Sequence, residues 1–305
     1  MASKPSNDRY LFKNNAADNH RLDRQFHIYQ KFFDKGPVTL AGFLDEKRVN
    51  KVLDVAAGSL AWTLDVARST DPSMVELHAC DIAADNFPPT SVIDAFSINT
   101  FIHDATQPFP EEMKGQFDVV NMRLLVYAFS EDQWKKALKN ICEVLRPGGH
   151  LFLFDYDIVW FNGAETDPNL TAPWLSSLNR MFLKQAQATG YVISLSESLP
   201  DMLAEASFAV KEQVSCRCPF GMTAKTCLSV NGASLAGDED FTGEMAQMIT
   251  TRLSTGALAG GYLEDNSGKP ITTEAGRLQW IEKYNKEIGI HGVTIQGTQI
   301  TAIRV

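Results

Sequence analysis

The sequence predicts an α/β fold built on a mostly parallel sheet, and three observations carry that expectation. Short apolar runs alternate with stretches of helical period, a small-residue turn links the first such run to a helix, and a polar residue closes one run after another. Right-handed crossovers then place helices on both faces of the sheet, and ligands on such sheets sit at the carboxyl ends of the strands.

Taken in order, residues 1 to 9 are polar, and from Tyr10 to Phe33 the apolar groups Leu22, Phe26, Tyr29 and Phe33 recur near helical spacing. This predicts an amphipathic helix or helix pair that stops at Gly36-Pro37, where glycine accepts positive φ and proline cannot donate to the helix ladder. Lys51 to Val55 reads as the first strand and Ala61 to Ser69 as a helix, and a second strand ends at Asp81. Ser97 to His103 and Phe117 to Met122 are further short apolar runs. Trp134, Leu138, Ile141 and Leu145 mark a helix, which Arg146-Pro147-Gly148-Gly149 breaks before a strand from His150 to Asp155.

Beyond residue 157 the pattern loosens. A helix is expected from Pro173 to about Thr189, strands at Phe208 to Cys218 and Val293 to Val305, helices at Phe241 to Leu253 and Thr273 to Ile288, and an acidic, small-residue loop at Gly232 to Gly243. No repeat or low-complexity tract interrupts the chain. The domain organisation expected is a helical lid over residues 1–45, a cofactor-binding Rossmann-like core over 46–157, and the remainder of the same domain, with substrate-pocket helices and final strands, over 158–305.

Composition narrows the partners. A formal charge of -9 and the lack of any Lys/Arg run leave no field to gather phosphates, which argues against nucleic acid and anionic membrane. The five cysteines, Cys80, Cys142, Cys216, Cys218 and Cys227, lack the paired spacing of a zinc site and read as reduced thiols; no metal is expected. The opening MASKPSNDRY has no signal-peptide run, and no stretch approaches the length of a membrane span, so a soluble, cytoplasmic protein with a small-molecule substrate is expected. Composition leaves the oligomeric state open.

The chemical signal is Val52-Leu53-Asp54-Val55-Ala56-Ala57-Gly58-Ser59-Leu60, an apolar strand running through a small-residue turn into a helix. Small residues let a ligand approach backbone amides at the helix amino end; the plainer alternative is a tight strand-to-helix connection. Asp81, 27 residues after Asp54, can accept both hydroxyl protons of a ribose, or simply cap a turn.

The segments VLDVAAGSLAW, CDIAADNFPP, FIHDATQPFP, FDVVNMRLLVYAF and LRPGGHLFLFDYD resemble, in order and spacing, the successive motifs of class I S-adenosylmethionine-dependent methyltransferases, and more narrowly the fungal LaeA-like group, many of whose members tailor secondary metabolites. The likeness spans about residues 10 to 157. It implies a Rossmann-like sheet, mostly parallel with an antiparallel strand at the C-terminus, plus a helical N-terminal lid and a helical insertion. It implies S-adenosyl-L-methionine as cofactor, S-adenosyl-L-homocysteine as product, and methyl transfer to an O, N or carboxylate of a small organic molecule.

Residue by residue, the resemblance places Asp54, Ala56, Ala57 and Gly58 at the methionine end, Asp81 and Ile82 at the ribose, Asp104 and Ala105 at the adenine amino group, and Asn121, Met122 and Arg123, after the fourth strand, beneath the sulfonium. Tyr10, Arg21 and Gln25 of the lid would take the methionine carboxylate or amine, or form an ordinary solvated helix face. The sequence departs from the family's Asp-x-Gly-x-Gly-x-Gly turn at Ala56 and Leu60. Ala56 is a mild change if its φ stays negative, whereas Leu60 is expected to reach into space otherwise left open.

Candidate bases are His20, His27, His103, His150, Asp155 and Asp157; His150 starts its strand away from the carboxyl edge, and Asp157 is the one put forward as catalytic. Tyr127, Phe129, Trp160, Phe161 and Trp174 are candidates for an apolar wall if the loop after the fifth strand folds inward, and Met245 and Met248 read as core fillers. Two other readings stay open: a cofactor-binding cyclase or pericyclase on the same fold, kept alive by the altered turn, and a non-catalytic regulatory protein. A nicotinamide-dependent reductase is disfavoured because neither Tyr-x-x-x-Lys nor Gly-x-Gly-x-x-Gly occurs.

Overall fold

The computed structural model describes residues 16–33, 49–71, 73–162, 172–226 and 234–305. Tyr10, the His20 side chain, Gly36-Pro37 and Cys227 lie outside the described residues. The chain begins with α1 (Ala16–Phe32). It continues through β1 (Lys51–Val55), α2 (Ala61–Ser69), β2 (Glu76–Asp81), α3 (Thr90–Ala95), β3 (Asn99–Ile102), β4 (Phe117–Arg123), α4 (Glu131–Val144) and β5 (Leu145–Phe161). The second half adds α5 (Pro173–Thr189), α6 (Leu195–Glu205), β6 (Phe208–Phe220), α7 (Glu239–Ala259), α8 (Glu274–His291) and β7 (Val293–Arg304).

These strands form one sheet in the order β3-β2-β1-β4-β5-β7-β6. Strands β1 to β5 run parallel, and β7 inserts antiparallel between β5 and β6. The sheet is therefore the mostly parallel, Rossmann-like one expected, with its antiparallel strand at the C-terminus. The order reverses at β1, so the carboxyl ends of β1 and β4 flank the switch point where such sheets bind ligands.

Local chemistry explains the sharpest boundaries. Ser130 caps α4: its hydroxyl accepts from the Gln133 amide at 3.4 Å while the Gln133 side chain accepts from the Ser130 amide at 2.9 Å, a reciprocal box that satisfies two otherwise orphaned donors. Trp134, Ala137, Leu138, Ile141 and Val144 then fall on one buried face. Gly149 must be glycine, because a Cβ there would stand 2.8 Å from the Arg146 carbonyl oxygen.

Several elements depart from expectation. Strand β5 starts at Leu145, so Arg146-Pro147-Gly148-Gly149 lies within it rather than before it, and it does not stop at Asp155 but runs to Phe161, because β7 continues to pair with it across a bulge between Tyr156 and Trp160. Helix α6 was not anticipated: Pro200 lies inside it, and a proline reads in sequence as a breaker although its buried Leu195, Leu199, Met202 and Leu203 have helical spacing. The acidic loop expected to run to Gly243 gives way to α7 at Glu239, and the short α3 fills ground left unassigned.

Helix α1 is fastened to the sheet by aromatic packing. Its Tyr29 ring lies 5.0 Å from Phe154 and 5.6 Å from Tyr156, Phe33 lies 5.3 Å from Phe154, and Phe32 lies 6.3 Å from Phe220. Edge and tilted pairs of this kind add to the burial of large apolar area, so the predicted stripe of Phe26, Tyr29 and Phe33 seats the helix across the carboxyl edge. Among the described residues, no helix is long and apolar enough to cross a membrane, and no group of three His, Cys, Asp or Glu side chains could hold a metal ion.

Candidate active site

The site starts at the end of β1. Asp54 lies in register with Asn121 of β4, and its two oxygens accept from Asn121 Nδ2 and from the Thr63 hydroxyl, each at 2.8 Å. Burial raises its pKa, opposed by the charge of Arg123 and by those two donors. Asp54 is thus fully enclosed and holds β1, α2 and β4 together.

The turn that follows is left-handed at three alternate positions, Ala56 (φ 55), Gly58 (φ 54) and Leu60 (φ 61). These are the three places where the family's turn carries glycine. Ala56 does not keep a negative φ, and Leu60 does not enter open space; it is fully buried at the start of α2. Each non-glycine residue in this region costs roughly 1–2 kcal/mol, and the packing of its side chain has to offset that cost.

Asp81 faces this turn from the end of β2. Its Oδ2 accepts from the Gly58 amide at 2.9 Å and its Oδ1 from the Ala83 amide at 3.3 Å. Burial raises its pKa, while the amides of Gly58 and Ala83 pull it back. Ile82 follows it, half-buried. Two residues past β3, Asp104 Oδ1 accepts from the amide and hydroxyl of Thr106 at 2.9 and 2.8 Å, leaving Oδ2 on a half-exposed side chain. Ala105 is buried and its carbonyl accepts from Asn140 Nδ2 at 2.9 Å. Asp54, Asp81 and Asp104 therefore stand at or just past the carboxyl ends of three adjacent parallel strands, along one rim.

Asn121, Met122 and Arg123 form the last residues of β4 itself rather than a loop after it. Asn121 is engaged with Asp54, Met122 is fully buried, and the Arg123 guanidinium stacks over the Phe26 ring of α1 at 4.5 Å. The residue at the turn is Leu124, in a left-handed conformation (φ 61), a strained position of the kind that clusters at functional sites.

Helix α1 closes over the rim. The Ser59 hydroxyl donates to Asp23 at 2.7 Å, and Leu22 Cδ1 lies 3.3 Å from where a Cβ on Gly58 would stand. Arg21 Nη1 donates to Gln25 Oε1 at 2.9 Å, and Gln25 Nε2 in turn donates to the Tyr29 hydroxyl. Arg21 and Gln25 thus point along the site rather than forming only a solvated face, and both line a cavity of about 90 Å³ between α1, the end of β5 and α7.

The cavity is walled by Leu124, Val126, Tyr127 and Ala128 after β4, by Tyr156, Asp157 and Trp160 of β5, and by Met245, Met248 and Ile249 of α7. The β5 bulge puts Tyr156, Asp157 and Trp160 on one surface, which strict strand alternation forbids. Asp157 accepts from the Ser196 amide at 2.8 Å and hydroxyl at 2.7 Å; burial raises its pKa and the Ser196 donors oppose it.

Of the other candidate bases, Asp155 is fully buried and accepts from the amides of Leu125 (2.6 Å), Val126 (3.2 Å) and Tyr156 (2.9 Å), so it pins the wall from behind; burial pushes its pKa up to about 7. His27 is exposed beside Gln30, His103 packs on Phe109 at 4.0 Å, and His150 lies on β5 where its pairing with β7 begins, away from the carboxyl edge. None of them lines the cavity. The expected aromatic wall is corrected in part. Tyr127 and Trp160 belong to it, whereas Phe129 packs on Trp134, Phe161 lies under Arg217, and Trp174 stacks near His291. Met248 and Ile249 line the wall without any chemical mark that sequence could display.

Of the cysteines described, Cys80, Cys142 and Cys218 are buried free thiols and Cys216 is a half-buried one.

Residues 52–149 match the family model described as a methyltransferase domain. Among curated proteins, the chain is 30% identical over 159 residues to methyltransferase grgD of a Penicillium species, covering 49% of this chain and 53% of the relative. It is 29% identical to N-methyltransferase tcpN of Claviceps purpurea (46% of this chain, 49% of the relative) and 30% identical to the secondary metabolism regulator laeA of Coprinopsis cinerea (46% and 35%). The chain thus spans about half the length, or less, of these relatives. The motif order, the sheet and the family match agree: residues 52–149 form a methyltransferase domain within a Rossmann-like sheet, and the relatives the chain is similar to include fungal methyltransferases and laeA regulators.

Proposed function

We propose that this protein transfers a methyl group from S-adenosylmethionine to an oxygen, nitrogen or carboxylate of a small organic molecule, a secondary metabolite, in the cytosol. The observation that supports this reading best is the rim itself: a thrice left-handed turn and three carboxylates on adjacent strands, with an apolar cavity directly beyond. The residues fit the cofactor. Asp81 keeps lone pairs for ribose hydroxyls after taking two amides, Asp104 Oδ2 is suited to the adenine amino group, and the turn at Ala56, Ala57 and Gly58 brings backbone close to the methionine end. Arg21 and Gln25 on the lid, with Tyr10, would receive the amino-acid end.

The bound cofactor supplies a methyl carbon already activated by its sulfonium. The protein's part is to line up the acceptor, exclude water, and receive a proton if the acceptor carries one. Asp157 is the group for that last task, as the one carboxylate on the cavity wall among the described residues, held in place by Ser196. The cyclase reading was motivated by Ala56 and Leu60, and both adopt the conformation glycine would; that motivation is gone.

Calorimetric titration with S-adenosylhomocysteine tests the cofactor side: Asp81→Ala is expected to weaken binding by about 10-fold or more, the worth of a charge-assisted bond. An unchanged titration removes Asp81 from the site. On the acceptor side, Asp157→Asn is expected to lower kcat by ~10²-fold or more and to abolish an acidic limb of kcat/KM lying above the usual carboxylate range, since burial raises this group. Mass spectrometry of metabolites incubated with the full chain and cofactor, read for gain of one methylene, decides whether methyl transfer occurs at all.

A further inference from the structure

We propose that Cys216 and Cys218 form a reversible oxidation site: a low-molecular-weight disulfide such as oxidised glutathione closes them into an intrastrand disulfide, and closure draws the Cys218 sulfur off the cavity wall. The site goes beyond the methyltransferase reading and does not depend on it.

Cys216 and Cys218 are alternate residues of β6, so their side chains leave the same face of the strand, and their sulfurs lie 3.5 Å apart. Cys216 is half-buried and open to a small oxidant, while Cys218 is fully enclosed beside it. One thiol can therefore meet the oxidant, and the other is placed to resolve it. The pair also shares its face with the cavity wall. Across β7, Cys216 stands in register with Gly297 and Gly297 with Tyr156, while Cys218 stands in register with Ile295 and Ile295 with Trp160. Tyr156, Trp160 and Ile295 line the cavity, as does Phe220, two residues beyond Cys218. Gly297 leaves room that the Cys218 sulfur fills: a Cβ there would stand 2.8 Å from that sulfur and 3.2 Å from Tyr156 Cε1.

The chemistry balances with the oxidant alone. Cys216 gives up its proton and attacks one sulfur of glutathione disulfide, and the glutathione thiolate that leaves takes the proton. Cys218 Sγ then attacks Cys216 Sγ and expels the second glutathione, which takes the Cys218 proton. Two protein thiols are oxidised, and one disulfide is reduced to two thiols. Burial raises the Cys218 pKa well above the ordinary thiol value, so proximity to Cys216 rather than thiolate character makes it the resolving partner. Alternate residues of a strand are about 6.7 Å apart, near the upper limit a disulfide spans, and a bond of about 2 Å requires β6 to pucker at Arg217. β6 is the last strand of the sheet, so the pucker disturbs only its ladder with β7. A disulfide held under such strain is easily reduced, which suits a reversible site rather than a permanent cross-link.

The test treats the reduced full chain with glutathione disulfide, blocks remaining thiols and digests with trypsin. Cleavage after Lys211, Arg217 and Lys225 puts Cys216, Cys218 and Cys227 in separate peptides. The expected result is a fall of about 2 Da in the intact mass, with peptide 212–217 joined to 218–225, and reversal by reduced glutathione. Cys218→Ser is expected to stop at a glutathione adduct on Cys216, and Cys216→Ser to form no bridge; the latter, at the half-buried position, keeps the test intact if the former fails to fold. Near-ultraviolet circular dichroism in the tyrosine region is expected to change on oxidation of the native chain and not of Cys216→Ser. No loss of thiols, a lasting glutathione adduct on the native chain, a bridge to Cys80, Cys142 or Cys227, or a bridge that reduced glutathione cannot open overturns the proposal. A bridge that leaves the tyrosine signal unchanged overturns its link to the cavity wall.

Discussion

The rim along β1, β2 and β3 and the cavity beyond β5 are built on opposite principles. On the rim, each polar side chain finds partners close by: Asp54 takes Thr63 and its cross-strand neighbour Asn121, Asp81 takes the Gly58 and Ala83 amides, and Asp104 takes Thr106. The cavity wall is by contrast mostly apolar, formed largely by aromatic, aliphatic and thioether side chains, with Arg21, Gln25 and Asp157 as its charged or amide members. The lesson is that the rim is fixed by hydrogen bonds between neighbours, whereas the cavity is shaped by packing. Preorganised hydrogen bonds make the first region stiff; adaptable thioethers let the second adjust to what it holds.

If the rim is a self-supporting lattice, its buried member must matter most. Asp54→Ala leaves Asn121 and Thr63 without an acceptor and removes the negative charge that offsets the desolvation of Arg123, so a loss of about 3–5 kcal/mol is expected in urea denaturation. Asp104→Ala, on a half-exposed turn, should cost under about 1 kcal/mol in the same assay. Similar losses for the two would break the distinction between an enclosed lattice and a solvent-facing edge.

Leu60→Gly comes next. The substitution relieves a left-handed leucine, worth roughly 1–2 kcal/mol, but deletes a fully buried side chain, for which about 2–5 kcal/mol is the usual range. A net loss of about 2 kcal/mol is expected, with cofactor affinity unchanged because the Leu60 side chain is fully buried and offers no surface to a ligand on the rim. Tighter cofactor binding in the variant would restore the view of Leu60 as an obstruction. On the opposite wall, Met248→Ala should cost only about 1 kcal/mol, since the side chain is half-buried, while admitting bulkier acceptors. An unaltered acceptor range, in a competition assay with small apolar compounds of graded size, would place Met248 outside the recognition surface.

The same contrast explains what was legible in the sequence. β1 and α2 fall on the expected residues because Lys51–Val55 and Ala61–Ser69 are bounded by their own chemistry, and Asp54 and Asp81 stand out beside the apolar Leu53, Val55, Ala79 and Cys80. The wall was not legible, since Leu124, Met248 and Ile249 are brought together only by tertiary packing and bear no reactive group. The bulge in β5 is set by pairing with β7, more than a hundred residues away in sequence, so alternation within β5 misplaced its end and with it Trp160. Leu60 was misread for a related reason: a glycine position in a motif specifies backbone conformation, and the direction of the side chain that replaces it depends on the packing around α2.

Ala56 supplies the smallest and most discriminating measurement. It shares the left-handed conformation of Leu60 but only a methyl group and partial burial, so there is little packing to lose. Ala56→Gly removes strain of roughly 1 kcal/mol and restores freedom to the unfolded chain worth somewhat less, which leaves a gain of a few tenths of a kcal/mol. The expected readout is a small rise in the denaturation midpoint with an unchanged slope, opposite in sign to Leu60→Gly. A clear loss of stability would mean that the methyl of Ala56 is packed more tightly than its partial exposure indicates, and that the turn is held in place by its side chains rather than by the amide bonds that Gly58 and Ala83 give to Asp81.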